Sequence, residues 1–316
     1  MSRNPASHGW MVLVVALLGS LTGCDGMFTL SFQFVIPDRV SDTETQTLAI
    51  PPGAALVVNN DNGSTRVSVD PNATEATIEI TRIALAENRG EAENLLNRIE
   101  VTVEPPDAGI PNLRVTARKP ISATGNSSEF NFDVMDDQIV VTGILSARTV
   151  ALVQLRITLP AGHAVQVTSE NGAIRTLGLD TASSLTTKNG RIRVTDSMAA
   201  LTLDTDNGSL DIEDHTGSLN ATTRNGSVEI DLLDLAAGDH VTAETSNGRI
   251  RLRVPSGIDA ELRAMTDNGI VLFRAQDFDS LANVTADVRD VTTTLNAGGP
   301  IIDLSTRNGT ISIDGR

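Results

Sequence analysis

Along most of this chain apolar and polar residues alternate with period two, the signature of strands that bury one face, and the doublet Asn-Gly breaks the alternation at regular intervals. It occurs eight times: Asn62-Gly63, Asn171-Gly172, Asn189-Gly190, Asn207-Gly208, Asn225-Gly226, Asn247-Gly248, Asn268-Gly269 and Asn308-Gly309. The last seven follow one another at 18, 18, 18, 22, 21 and 40 residues, the 40 reading as two periods with one doublet missing. Counted from the Asn, positions −6, −4, +3 and +5 are apolar, as in Leu219, Ala221, Val228 and Ile230, or Ile302, Leu304, Ile311 and Ile313. Two short strands therefore flank a corner in each copy. Asn and Gly tolerate positive φ, so the doublet is expected to serve the turn itself.

An isolated Asn-Gly between strands would predict an antiparallel hairpin. Position −2 argues for a stacked coil instead. Before each of the last seven corners it holds Ser169, Thr187, Thr205, Thr223, Thr245, Thr266 and Thr306, a hydroxyl on the inward phase, which is useful where equivalent residues stack at about 4.8 Å. The outward position −1 reads Glu170, Lys188, Asp206, Arg224, Ser246, Asp267 and Arg307, and its first four members alternate in sign, as neighbouring rungs would require. A unit of about 20 residues repeated in this way predicts an all-β, right-handed parallel β-solenoid with coils of 18–22 residues. Pro51-Pro52-Gly53, Pro160-Ala161-Gly162, Pro255-Ser256-Gly257 and Gly238 mark a second corner. The coil without a doublet falls at Val288-Arg289, and Val284, Ala286 and Val291 predict that it keeps its strands.

The pattern divides the chain. Residues 48–69 match the repeat, residues 70–156 interrupt it, and residues 157–316 form the regular Asn-Gly array. Within the interruption, residues 77–85 and 100–103 read as strands around a charged segment whose Leu95, Leu96 and Ile99 predict one short helix, weakened by Gly90. Residues 105–109 and 122–137 read as loops, and residues 37–47 as a polar linker. Before the linker, Phe28, Leu30, Phe32, Phe34 and Ile36 alternate as an edge strand that could cover an open sheet end. Aromatics make up only 3% of the chain, with no Tyr, which suits a narrow aliphatic bore better than a barrel or sandwich filled with rings.

Residues 1–23 have Arg3 near the start, an apolar stretch from residue 10 to 18, and then Leu21-Thr22-Gly23-Cys24. Such a leader is an export signal too short for a lasting membrane span. The tetrapeptide resembles the lipobox of bacterial lipoproteins, and Cys24 is the only Cys in the chain. The resemblance implies diacylation of Cys24, which would become the mature N-terminus of a lipidated segment, residues 24–47. More than one acyl chain gives durable attachment to a membrane. No disulfide would then be available. The formal charge of −16 speaks against nucleic acid as a partner.

With its Gly corners, Pro-x-Gly strand ends, interrupted first unit and lipobox, the chain resembles the bacterial putative-adhesin family, a domain of unknown function with a β-solenoid fold, over about residues 45–316. That resemblance implies a lipid-anchored protein of the cell envelope and carries over no catalytic residues.

Candidate chemistry is sparse. Asp204, Asp206, Asp211, Glu213 and Asp214, with Arg193 on the preceding coil, are the closest approach to the carboxylate pair of a carbohydrate-active enzyme. His163, His215 and His240 each sit beside a predicted corner without ligand spacing, and no cofactor motif is present. Ile270 and Leu272 fall on the outward phase, where residues 276–281 are expected to cover them. The sequence thus favours a non-enzymatic envelope protein that offers a solenoid surface to a protein or glycan. A carbohydrate-active enzyme on the same scaffold, and a structural or sensory envelope component, are the alternatives.

Overall fold

The computed structural model describes residues 38–107, 109, 111–120, 131–135, 138–142 and 149–316. Cys24 and the Phe28–Ile36 alternation lie outside them. Each Asn-Gly coil gives one strand to each of two sheets, of twelve and eleven strands, whose inner faces share one continuous aliphatic core. Successive strands are parallel and pair like with like. Val58, Val167, Leu185, Leu203, Ala221 and Ala243 form one inward column, and Ile174, Ile192, Leu210, Val228 and Ile250 face it from the other sheet. This is the parallel β-solenoid that the periodicity predicts. Ser183 interrupts an apolar column without cost because its Oγ donates to Thr181 O and accepts from the Val165 N–H.

Among the doublet glycines Gly63, at φ +116°, is well inside the left-handed region that turn chemistry predicts, and for most of the others the corner gives a different reason. At Gly208, Gly226, Gly248, Gly269 and Gly309 φ is not in the left-handed region, yet an added Cβ would overlap the carbonyl oxygen of the glycine on the adjacent coil. Close stacking of backbones, rather than positive φ, excludes side chains there. Positive φ matters at the second corner, where Gly53, Gly162 and Gly238 adopt +81°, +84° and +94° in open space.

Chain order and stacking order part at both ends. The strand Ile301–Asn308 lies between His240–Asn247 and Ala260–Asn268, so the last coil is inserted beneath the one before it. The predicted coil around Val288 is instead an antiparallel excursion: Leu281–Ala286 pairs with Asp290–Leu295, which pairs with Ala260–Asn268 and closes that edge. The first coil, Leu56–Asn62 and Thr65–Val69, is likewise covered on its outer side by Leu113–Arg118 and Val150–Leu159. Inserting coils places irregular antiparallel strands, which terminate stacking, at the exposed ends.

Three segments differ from their sequence reading. Most of the expected linker at residues 37–47 belongs to the strand Asp38–Leu48, which pairs antiparallel with Ala76–Ala86 along its whole length. Its polar sequence suits an edge, where backbone pairing and contacts such as Arg82–Glu44 at 2.9 Å hold it without an apolar column. Part of the expected loop at 122–137 is a strand, Asn131–Met135, paired with Gln138–Thr142. Ile270 and Leu272 stay exposed, at 41% and 49%, because residues 275–281 turn toward the core, where Phe278 stacks on Phe273 at 5.3 Å. The helix forms over Arg89–Leu96, with Asn88 Oδ1 accepting from the Glu91 N–H and with Ala92 and Leu95 buried.

Candidate functional site

Three hydrogen-bond ladders fix the corner and so the spacing of everything presented outside. Asn side chains run as one column: Asn171 Nδ2 donates to Asn62 Oδ1, and the chain of donors continues through Asn189, Asn207, Asn225, Asn247 and Asn308 to Asn268, with every bond 2.9 or 3.0 Å. Seven of the eight Gly N–H groups, all but that of Gly269 on the terminal coil, donate to the Asn carbonyl of the next coil, as from Gly208 to Asn225 at 3.1 Å. Each position −2 Thr, from Thr187 to Thr306, donates its Oγ1 to the Gly carbonyl of the neighbouring coil at 3.0–3.3 Å. In the first coil Asn60 takes that place and reaches Gly63 O and Val153 O, while the buried Ser169 hydroxyl has no partner. Ladders of this kind rigidify a corner, because from Thr187 onward the position −2 hydroxyls are paired along the axis.

The side chains proposed for chemistry are dispersed by this frame. Asp204 and Asp206 point outward from the twelve-stranded sheet, whereas Asp211 and Glu213 point outward from the eleven-stranded one, so the two pairs occupy opposite faces. Asp214 takes φ 54° at an irregularity in the strand, which turns His215 inward. His215 Nδ1 then lies 2.7 Å from Ser197 Oγ, with both residues fully buried, and desolvation pushes the imidazole below its ordinary pKa. His163 is also buried, with Nδ1 2.8 Å from Ala54 O, and His240 is exposed on another coil. No group of three metal-ligating side chains occurs among the described residues. At position −1 Glu170 takes Lys188 at 3.2 Å and Lys119 at 3.0 Å, Lys119 holding its carboxyl below the usual range, and Arg224 takes Asp206 at 3.4 Å.

Three of those candidates, Arg193, Asp211 and Glu213, do come together, on the outer face of the eleven-stranded sheet, whose wider extent the sequence reading passed over. A shallow groove of about 390 Å³ runs across it. Asp211, Glu213, Glu229 and Asp231 form its centre, with Arg191 and Arg193 on one side and Arg249, Arg251 and Arg253 on the other. Arg193 lies 3.8 Å from Asp211 and 3.6 Å from Glu213, Arg249 3.0 Å from Glu229, and Arg316 2.8 Å from Asp231. Burial raises the Asp211 pKa, with Arg191 and Arg193 opposing it. Farther along the same face Arg66 and Arg175 continue the basic side. Their signal was present, since each lies four residues after its Asn, on an outward column that apolar periodicity does not interrogate.

Among the described residues no helix is long and apolar enough to cross a membrane. Comparison with known proteins gives one family match, to the family described as Toastrack DUF4097, over residues 32–314. Solved structures similar to the chain include a putative cell adhesion protein from Clostridium sporogenes, 12% identical with a TM-score of 0.35, the match covering 88% of this chain and 100% of that one. A putative adhesin from Bacteroides fragilis is 11% identical with a TM-score of 0.41 over 86% and 97% of the two chains. A putative lipid binding protein from Parabacteroides distasonis is 12% identical with a TM-score of 0.34 over 86% and 96%. No curated protein matches the chain.

Proposed function

We propose that this protein, which belongs to the Toastrack DUF4097 family, is a non-enzymatic binding scaffold of the bacterial cell envelope, anchored by lipid at Cys24, that presents ordered side-chain rows to a protein or glycan. The observation that carries the reading is the Asn column, seven bonds long, which holds outward residues at strand spacing on a rigid frame. A surface preorganised in this way binds without ordering itself first. The enzyme alternative has less support: Asp204 and Asp206 stand on the face opposite Asp211 and Glu213, and these two are already engaged by Arg193.

Two experiments test it. Labelled palmitate should be incorporated into the wild-type chain and not into Cys24→Ser, and label that persists in the variant would remove the anchor. Soluble Cys24→Ser protein, offered to a glycan array and to extracted envelope proteins, should retain a specific ligand. Silence on both, or turnover of a glycan that Asp211→Asn abolishes, would overturn the scaffold reading.

A further inference from the structure

The five coils of Asn171, Asn189, Asn207, Asn225 and Asn247 supply strands to both sheets, yet the side chains they turn outward differ in kind. On the eleven-stranded sheet, positions +4 and +6 from each Asn are charged in eight of ten cases. On the twelve-stranded sheet the outward positions −5 and −3 are charged in two of ten, Asp204 and Glu244. Strand propensity does not produce the difference, because both sets lie on parallel strands with one face buried. Position −5 stacks Gln166, Ser184, Thr202, Asn220 and Thr242 in register, and position −3 stacks Thr168, Thr186, Asp204, Thr222 and Glu244. All ten are partly or fully exposed. None of these side chains has a hydrogen-bond or ion-pair partner among the described residues. The two columns lie about 6.6 Å apart along the strands and repeat about every 4.8 Å, so the strip runs about 19 Å over five rungs. Six hydroxyls and two carboxamides thus stand on a fixed lattice with their hydrogen-bonding capacity unused by the fold.

We infer that this strip binds a linear, uncharged glycan laid across the rungs, whose hydroxyl or acetamido groups exchange hydrogen bonds with the two columns. The inference rests on the scaffold reading and names both the class of ligand and the face that takes it. Hydroxyls and carboxamides each donate and accept, as sugar hydroxyls do, and Asp204 and Glu244 add acceptors. An anionic polymer finds no cation within the two columns. A protein partner would call for aromatic or arginine anchors, and a single-stranded nucleic acid for stacking platforms; the columns hold neither. One neutral hydrogen bond contributes little by itself, so affinity comes from several rungs engaged at once. The registered columns provide for that, since one ligand chain meets the same kind of group on each successive coil.

The test uses full-length protein in detergent and four immobilised probes: cellohexaose, chitohexaose, polygalacturonate and dextran sulfate. Wild-type protein should be retained by at least one of the two neutral hexasaccharides, the stronger arm telling plain hydroxyl from acetamido sugar, and added salt should not weaken retention. Thr186→Val/Thr202→Val/Thr222→Val keeps β-branched side chains on the strands while deleting three hydroxyls, so affinity should fall about tenfold or more. Its melting temperature should match that of wild type, because no hydrogen bond within the fold is removed, which separates lost binding from lost folding. Thr202→Lys, which sets a long charged side chain in the middle of the strip, should abolish retention as well. Thr195→Val removes an outward hydroxyl from the opposite sheet and should bind as wild type. Equal binding by the triple variant, a preference for an acidic glycan, or failure to bind either neutral glycan would overturn the inference. If the soluble chain still captures an acidic glycan or an envelope protein, the scaffold reading survives that failure, whereas capture of nothing removes both.

Discussion

Asn268 Nδ2 donates to Asn308 Oδ1 at 3.0 Å, and Asn308 Nδ2 donates in turn to Asn247 Oδ1 at 2.9 Å. The Asn column therefore runs continuously through a coil that the chain makes last and places second from the end. The corner geometry is indifferent to chain order. Any coil with the same Thr, Asn and Gly at the same places fits between any other two, which is how a C-terminal coil comes to be internal.

The same column leaves one doublet chemically exposed. Asn-Gly deamidates when the Gly amide nitrogen attacks the Asn side-chain carbonyl, expelling ammonia to form a succinimide that water opens to Asp or isoAsp. Seven of the eight Gly N–H groups are engaged by a neighbouring carbonyl, while Gly269, on the terminal coil, has no such acceptor among the described residues. Peptide mapping of native protein aged at mildly alkaline pH should find deamidation first at Asn268, and at the other seven only after unfolding. Uniform deamidation of native protein would show the ladders to be open.

Gly208→Ala is expected to cost about 3 kcal/mol or more, beyond ordinary overpacking, since its Cβ would overlap the Gly190 carbonyl, which is itself fixed in the stack. Gly53→Ala meets open space and opposes only a φ of +81°, so about 1–2 kcal/mol is expected. Urea denaturation separates the two, and equal losses would mean that turn conformation, not contact between backbones, selects glycine.

Thr205 Oγ1 donates to Gly190 O at 3.3 Å, whereas the Ser169 hydroxyl is buried without a partner. Thr205→Ala should lose about 1–3 kcal/mol, and Ser169→Ala should be within about 0.5 kcal/mol of wild type or more stable. Equal losses in chemical denaturation would deny the Thr ladder a stabilising part.

Burial depresses the His215 pKa, so the folded chain holds that imidazole neutral while the unfolded chain takes up a proton near the ordinary value of 6.5. Between the folded and unfolded pKa the unfolded state binds more protons, so stability rises with pH there and is lost as pH falls below about 6.5, by at most about 1.4 kcal/mol per pH unit for one proton. His215→Gln should flatten the slope of unfolding free energy between about pH 5 and 6.5. An unchanged slope would place the titrating group elsewhere. Asp211, with its pKa raised by burial, works in the opposite sense and at lower pH.

The sequence showed the solenoid because the Asn-Gly corner is a local requirement repeated on every rung: a glycine where backbones touch, an amide beside it and a hydroxyl two residues before. Stacking order was not legible. The 40 residues between Asn268 and Asn308 fit a missing coil as well as a hairpin, and only the pairing of Ala260–Asn268 with Asp290–Leu295 decides between them. Asp38–Leu48 was hidden because an edge strand needs no apolar column. Asp204 and Asp206 part from Asp211 and Glu213 for a simple reason: proximity in sequence crosses a corner, and the corner sends its two sides to opposite faces.

The central claim is that like residues meet along one axis in the order in which coils are stacked, and engineered disulfides test it most directly. In a Cys24→Ser background, Thr242→Cys with Asp303→Cys should oxidise readily, since the two stand in register on adjacent strands about 4.8 Å apart. Thr242→Cys with Arg263→Cys, two strands and about 9.6 Å apart, should remain reduced. A bond in the second pair and none in the first would show coils stacked in chain order and contradict the account.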